Sequence, residues 1–208
     1  MADQLIFFTR YPEAGRVKTR LIPALGETGA AALHRRLANH CLERLSPLWI
    51  SSDMLLTVFY SGGSKQQMQD WLPKVKLVRQ KGVGLGERMI KAFIQARRQG
   101  AKRILLVGSD CPDLSAAIVR QGLADLQDHD LVVGPAHDGG YYLIGISADY
   151  APVSLWYLLT NICWGTADVL RDTLNRIRLA GNSCALLPLL HDIDRPEDLE
   201  YFDYHTCS

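Results

Sequence analysis

The chain has 208 residues, of which 48% are apolar and 22% charged. That is globular composition, enough to build a full hydrophobic core in one domain spanning residues 1–208, and it excludes a disordered chain. Lys and Arg number 23 against 22 Asp and Glu, a net charge of +1, which excludes a protein held mainly on a nucleic-acid backbone. No apolar run approaches the roughly 18 residues that would predict a membrane span.

The first apolar run, residues 5–9, reads as a strand rather than a signal peptide, because it is too short and has no cleavage pattern after it. Residues 28–45 read as a helix, with Leu33, Leu37, Cys41, Leu42 and Leu45 on one face. A Leu-, Val- and aromatic-rich strand at 53–60 is stopped by Ser61-Gly-Gly63. A short helix near 64–72 precedes a weak strand at 76–79. Residues 86–99 are helical, with Met89, Ile90, Phe93, Ile94 and Arg97 at helical spacing and Gly100 as the stop. Residues 103–107 form the strongest buried strand. Ser115 can cap a helix reaching about 128. Strands come next at 130–133 and 141–146, then a helix capped by Thr166 and running to about 180. Pro196 suits a helix first turn, with Glu197 and Asp198 at its positive end. The alternation predicts β-α-β units: one α/β domain, three layers, with a mostly parallel central sheet. In such sheets ligands bind outside the carboxyl ends of the strands.

The five cysteines, Cys41, Cys111, Cys163, Cys184 and Cys207, are odd in number and never spaced C-x-x-C, which argues against disulfides and structural zinc and fits a reducing cytoplasm. Charge is unevenly placed. Residues 1–36 carry Arg10, Arg16, Lys18, Arg20, Arg35 and Arg36 against Asp3, Glu13 and Glu27, a balance of +3; residues 190–208 carry Asp192, Asp194, Glu197, Asp198, Glu200 and Asp203 against Arg195, a balance of −5. These are either two solvated ends or a phosphate-binding start and a metal-binding finish.

The loops at the strand ends sharpen that choice. Arg10, Arg16, Lys18 and Arg20 fall in one loop after the first strand, suited to polyphosphate but without a P-loop or dinucleotide-fold glycine pattern. After the strongest strand, Gly108-Ser-Asp-Cys-Pro-Asp113 puts Asp110 at the crevice, where a carboxylate is costly without a cation; Asp113 either joins it as a hard-metal ligand or caps the next helix. Gly134-Pro-Ala-His-Asp-Gly-Gly-Tyr-Tyr142 offers Asp138, close backbone approach at Gly139 and Gly140, and Tyr141 against a sugar or acceptor, or else a plain hairpin. Gly82-Val-Gly-Leu-Gly-Glu-Arg-Met89 opens a helix whose first N–H groups, with Gly86 and Arg88, could meet a nucleotide. Asp192 and Asp194 share one face of an extended segment and could complete a metal site begun by Asp110. No G-x-S-x-G elbow supports a serine hydrolase, and the six histidines show no ligand spacing. Trp164 is either core or pocket wall.

In this order the motifs resemble the bacterial GT-A-type glycosyltransferases, including those of arsenosugar biosynthesis and those associated with radical-SAM and selenodomain proteins. The carriers are Phe8-Thr-Arg-Tyr-Pro-Glu-Ala-Gly-Arg-Val-Lys-Thr-Arg-Leu21, Leu85-Gly-Glu-Arg-Met89, the two glycine-aspartate loops above and Asp192-Ile-Asp-Arg-Pro-Glu-Asp-Leu199. The resemblance implies a nucleotide-diphospho-sugar transferase (GT-A) fold with nucleotidyltransferases among its relatives. It further implies phosphate binding by Arg10, Lys18 and Arg20, Mg²⁺ or Mn²⁺ held by Asp110 and Asp194, and a sugar or acceptor near Asp138 and Trp164. Two departures stand out: Gly84 where the family usually has an acid, and Arg195 where it often has a capping Thr. The leading expectation is metal-dependent glycosyl transfer from a nucleotide-sugar to a small-molecule acceptor, with Asp138 as base. The alternatives are nucleotidyl transfer from an NTP with pyrophosphate release, and nucleotide-sugar binding without turnover. A homodimer is a common default for such domains.

Overall fold

The computed structural model describes residues 3–51, 54–151 and 153–202. The expected strand start at Asp53, the terminal Asp203 and Cys207 lie outside the described residues. Among those described, seven strands form one sheet: β1 (Asp3–Arg10), β2 (Met54–Ser61), β3 (Lys76–Arg79), β4 (Ile104–Val107), β5 (Leu131–Pro135), β6 (Tyr141–Ile146) and β7 (Cys184–Leu186), in the order β3-β2-β1-β4-β6-β5-β7. All pairings are parallel except those of β6 with β4 and with β5. The reversal comes from chain length: the turn between β5 and β6 is too short for a crossover helix, so the chain must double back. The fold is the expected three-layer α/β architecture with a mostly parallel central sheet.

Period-two alternation in β1 builds both cores. Leu5 and Phe7 face one layer, with Cys41, Leu42 and Leu45 of α1 (Ile22–Leu45), Leu48 of α2 (Pro47–Ile50), Met68 of α3 (Lys65–Trp71) and Val119 of α5 (Ala116–Asp125). Ile6 and Phe8 face the other, with Ile90 and Phe93 of α4 (Leu85–Arg98), Leu155 and Leu158 of α6 (Ser154–Leu159) and Ile177 of α7 (Val169–Leu179). A third, smaller cluster joins Leu21, Leu33 and Leu37 to Ile193 and Phe202, and so pins the C-terminal segment beside the start of α1.

Several local expectations need correction. Thr166 does not cap α7; its hydroxyl donates to the Cys163 carbonyl at 2.8 Å and the helix begins three residues later. Asp113 neither caps α5 nor joins the crevice. It is exposed, and Ser115 caps that helix by accepting from the Ile118 N–H. The region of α1 opens with a turn broken at Gly26, whose φ of 70° is left-handed, before the regular helix runs on. Pro196 does start a turn, a 3-10 segment over Pro196–Tyr201. Arg195 leaves that turn's cap to Asp198, whose carboxylate accepts from the Asp194 and Arg195 N–H groups at 2.9 and 2.6 Å.

Candidate active site

β1 lies between β2, which comes after it in the chain, and β4, reached from the far edge, so the winding of the sheet reverses there. A crevice of about 750 Å³ opens at that point, outside the carboxyl ends of β1 and β4. It is lined by Arg10, Lys18, Arg20, Arg88, Asp110, Asp138, Gly140, Tyr141, Trp164, Asp192 and Asp194 among the residues singled out from the sequence.

Lys18 is the centre of its charge network. Its backbone sits at φ 48°, a strained conformation for a residue with a side chain, retained where surrounding contacts over-determine it. Those contacts are plain: the buried ammonium donates to the Ile193 carbonyl at 2.6 Å and stands 2.8 Å from Asp110 Oδ1 and 3.7 Å from Asp194 Oδ1. Burial opposes its charge, but Asp110, Asp194 and Asp192 outweigh that and raise its pKa. Reciprocally, enclosure opposes ionisation of Asp110, yet Lys18 beside it holds the carboxyl below its ordinary value. Arg20 closes the network with a 2.6 Å bond to Asp194 Oδ2 and reaches the Gly165 carbonyl at 3.4 Å. Arg10 has no ion-pair partner among the described residues, and Arg88 spends only its Nε, on the Gly82 carbonyl at 3.2 Å. Both guanidinium ends are available to an anion.

The placement of Asp192 and Asp194 is set by Ile193. That side chain is fully buried in the third cluster, and its N–H donates to the Asp110 carbonyl at 2.9 Å, so the two flanking carboxylates of the extended segment turn to the crevice. They differ in company. Asp194 is bound by two cations, whereas burial and the neighbouring Asp138 push Asp192 up to about 6, with Asp110 adding to the effect. Asp138 Oδ1 accepts from the Gly140 N–H at 2.7 Å.

Two of the singled-out glycines serve packing. A Cβ on Gly86 would stand 1.9 Å from the Leu159 carbonyl oxygen, so this glycine lets α4 press against α6 and does not line the crevice; Val83, Gly84 and Leu85 do. A Cβ on Gly139 would meet the Ala167 carbonyl at 2.2 Å, and its own carbonyl accepts from the Leu170 N–H, seating α7. Tyr141 and Trp164 meet edge to face, with centroids 6.1 Å apart, as one aromatic wall, and burial raises the Tyr141 phenol pKa.

His34 is a crevice residue that sequence spacing does not mark. It is buried on α1, and its Nε2–H donates to the Arg10 carbonyl at 3.1 Å. This fixes the tautomer and leaves Nδ1 unpartnered, 3.8 Å from Asp110 Oδ1. Burial lowers its pKa more than Asp110 raises it, so the ring is held neutral.

Among the described residues no three metal-ligating side chains converge into a cage. The carboxylates suit a hard cation that arrives with phosphate oxygens and takes only one or two protein ligands.

The fold and this crevice define an enzyme of the transferase class. The chain belongs to the family described as "Uncharacterized protein conserved in bacteria (DUF2064)", whose model matches residues 50–166. It is 37% identical to a "putative nucleotide-diphospho-sugar transferase" from Desulfovibrio desulfuricans G20, covering 99% of this chain and 88% of that one with a TM-score of 0.87. A CMP:2-keto-3-deoxy-manno-octonic acid synthetase complexed with CTP is 11% identical, with coverage of 97% and 96% and a TM-score of 0.59. Rv0371c of Mycobacterium tuberculosis H37Rv, in complex with manganese, is 14% identical, with coverage of 97% of each chain and a TM-score of 0.57. These last two show likeness of fold. None of the curated proteins compared with the chain matches it. No helix among the described residues is long and apolar enough to cross a membrane.

Proposed function

We propose that the chain acts as one transferase domain in the cytoplasm, moving a glycosyl group from a nucleotide-diphospho-sugar to the hydroxyl of a small-molecule acceptor. The observation that carries this reading is the buried Lys18 ammonium at the reversal point of the sheet, flanked by Arg10 and Arg20 and facing Asp110. Arg10, Lys18, Arg20 and Arg88 would bind the donor diphosphate and stabilise the charge that grows on it as it leaves. Asp110 and one C-terminal carboxylate, Asp194 or Asp192, would hold Mg²⁺ or Mn²⁺, which when bound neutralises diphosphate charge. Tyr141 and Trp164 would flank the sugar. The acceptor oxygen would form its bond to the anomeric carbon as the bond to the diphosphate breaks, and its proton would pass to Asp138, whose Oδ2 is left open by the bond from Gly140 to Oδ1. The acceptor classes of the arsenosugar and radical-SAM-associated groups belong to this proposal, as does a homodimer.

A second reading is nucleotidyl transfer, in which a sugar phosphate, sugar acid or phosphoacid attacks the α-phosphorus of an NTP and pyrophosphate leaves. Its support is the number of cations in the loop at 10–20 and the CTP-bound synthetase of like fold. The test is turnover with Mg²⁺ or Mn²⁺ of NDP-sugars and NTPs by the wild-type chain and by Asp110→Asn. Glycosyl transfer predicts release of NDP from an NDP-sugar, abolished in the variant. Pyrophosphate release from an NTP would favour the second reading. Unchanged turnover in a folded Asp110→Asn protein would remove the metal role, and nucleotide binding without turnover would make this a binding protein.

A further inference from the structure

The peptide unit between Arg10 and Tyr11 is clamped from both sides. Its N–H donates to the Ser61 carbonyl of β2 at 2.8 Å. Its C=O points the other way, to the side on which β4 pairs with β1. But β4 ends level with Phe7, and the next N–H, that of Gly108, turns to the Tyr142 carbonyl of β6. The ladder has no strand to offer the Arg10 carbonyl at the point where the crevice opens. His34 takes the missing strand's place: its Nε2–H donates to that oxygen at 3.1 Å, and the Thr9 hydroxyl reaches it more weakly at 3.4 Å.

His34 is built to hold a carbonyl and not to touch a ligand. It is 4% exposed, and its neighbours on α1, Leu33 and Leu37, are fully buried in the third cluster. Its Nδ1 is buried as well. Asp110 Oδ1, 3.8 Å away, is beyond hydrogen-bond reach, and both atoms are acceptors. The ring therefore commits its one hydrogen to the end of β1. Arg10 has need of that support. Lys18 and Arg20 are held by Asp110 and Asp194, whereas the Arg10 guanidinium has no ion-pair partner among the described residues. The direction of its side chain rests on the backbone it leaves from, and the clamped peptide fixes that backbone.

Resting on the diphosphate reading above, we propose that His34 is a positioning residue for the donor's diphosphate: by holding the Arg10 carbonyl from behind the crevice it aims the Arg10 guanidinium at the phosphates, without meeting them itself. A guanidinium whose stem is already ordered binds without the ordering cost that a free one bears. The bond also explains why a histidine stands among apolar residues on the inward face of α1, where its polar ring would otherwise go unpaired.

The test is a double-mutant cycle on the full chain with divalent metal, read as the Kd for inorganic pyrophosphate by isothermal titration. Arg10→Met should weaken binding by about tenfold or more. His34→Phe keeps a flat ring but has no hydrogen to donate; it should weaken binding about fivefold in the wild-type background and less than about twofold in the Arg10→Met background. His34→Gln, whose amide can present an N–H where the imidazole does, should bind within about twofold of wild type. A merely structural role would lower the Tm of the Phe variant without this dependence on Arg10. A His34→Phe loss undiminished in the Arg10→Met chain would overturn the inference and point to Asp110 as the group acted upon. A folded His34→Gln protein that binds as weakly as Arg10→Met would overturn it too. One measurement needs no variant: long-range proton–nitrogen NMR of the wild-type chain should show His34 with its hydrogen on Nε2, and a hydrogen on Nδ1 would overturn the inference, because the Arg10 carbonyl would then face a bare nitrogen. Absence of pyrophosphate binding by the wild-type chain would instead overturn the diphosphate reading beneath it.

Discussion

The two sides of the crevice floor carry the same acidic chemistry under opposite electrostatic conditions. On the side of the basic loop, Asp110 and Asp194 share the Lys18 ammonium, and Arg20 takes the remaining oxygen of Asp194. On the side of the β5–β6 turn, Asp192 and Asp138 face one another with little compensation, and Asp192 holds its proton to about pH 6. One side is neutralised before any ligand arrives; the other keeps an unspent negative potential. The two clusters therefore differ in how much of their negative charge is left for a ligand to meet.

The largest effect should come from breaking the compensated side. Lys18→Met strips two carboxylates of their shared cation and should cost about 3 kcal/mol, discounted because both acids are partly solvated. Calorimetry would read this as a Tm lower by roughly 6–12 °C. A Tm within a degree of wild type would mean that the ammonium is not structurally required. Next is Gly86→Ala, which would drive a methyl into the Leu159 carbonyl and lower stability by about 2 kcal/mol, whereas Gly84→Ala two residues earlier should be close to neutral. Equal effects at the two glycines would contradict the division between packing and crevice.

Asp192→Asn probes the uncompensated side, and there the sign is reversed. The folded chain keeps the Asp192 proton to about pH 6, while the ordinary value is 3.8. Between those values the folded state binds more protons, so the residue's contribution to stability falls as pH rises and is fully unfavourable above pH 6. The variant should therefore be more stable than wild type by about 1–2 kcal/mol at pH 8, with the gain vanishing near pH 4. Urea melts at the two pH values would check it, and a gain that grows toward pH 4 would refute the assignment. The smallest effect expected is that of Gly84→Asp. Its extended backbone is that of a helix N-cap, with open space for a side chain, so a capping carboxylate should add about 0.5 kcal/mol while placing a negative charge on the crevice wall that also carries Arg88.

Legibility in the sequence tracked how locally each feature is determined. β3 and β6 fall at their expected positions because apolar runs bounded by turn residues are read one segment at a time. The short α6 escaped notice because no side-chain cap marks its start, and β7 because a three-residue edge strand has no periodicity to show. In the crevice, the cost of a bare carboxylate at the end of β4 already called for a cation beside Asp110, and Lys18 fills that place. The glycines of the 82–86 run look alike in sequence, and only the approach of α6 separates Gly86 from Gly84. His34 sits on a helix face like any core residue, and its exposure to Asp110 depends on how α1 crosses the sheet. Nothing local to residue 194 announces that Arg20 will meet it.

The bond from Lys18 to the carbonyl of Ile193 spans 175 positions of the chain, which matters for biosynthesis. A nascent polypeptide can pair β1 with β2 and β4 while its later part is still being made, but its ammonium then lacks two of its three oxygen partners, Ile193 and Asp194. The charge network of the crevice is thus completed only after those strands have been made, when Ile193 enters its pocket and carries both flanking acids into place.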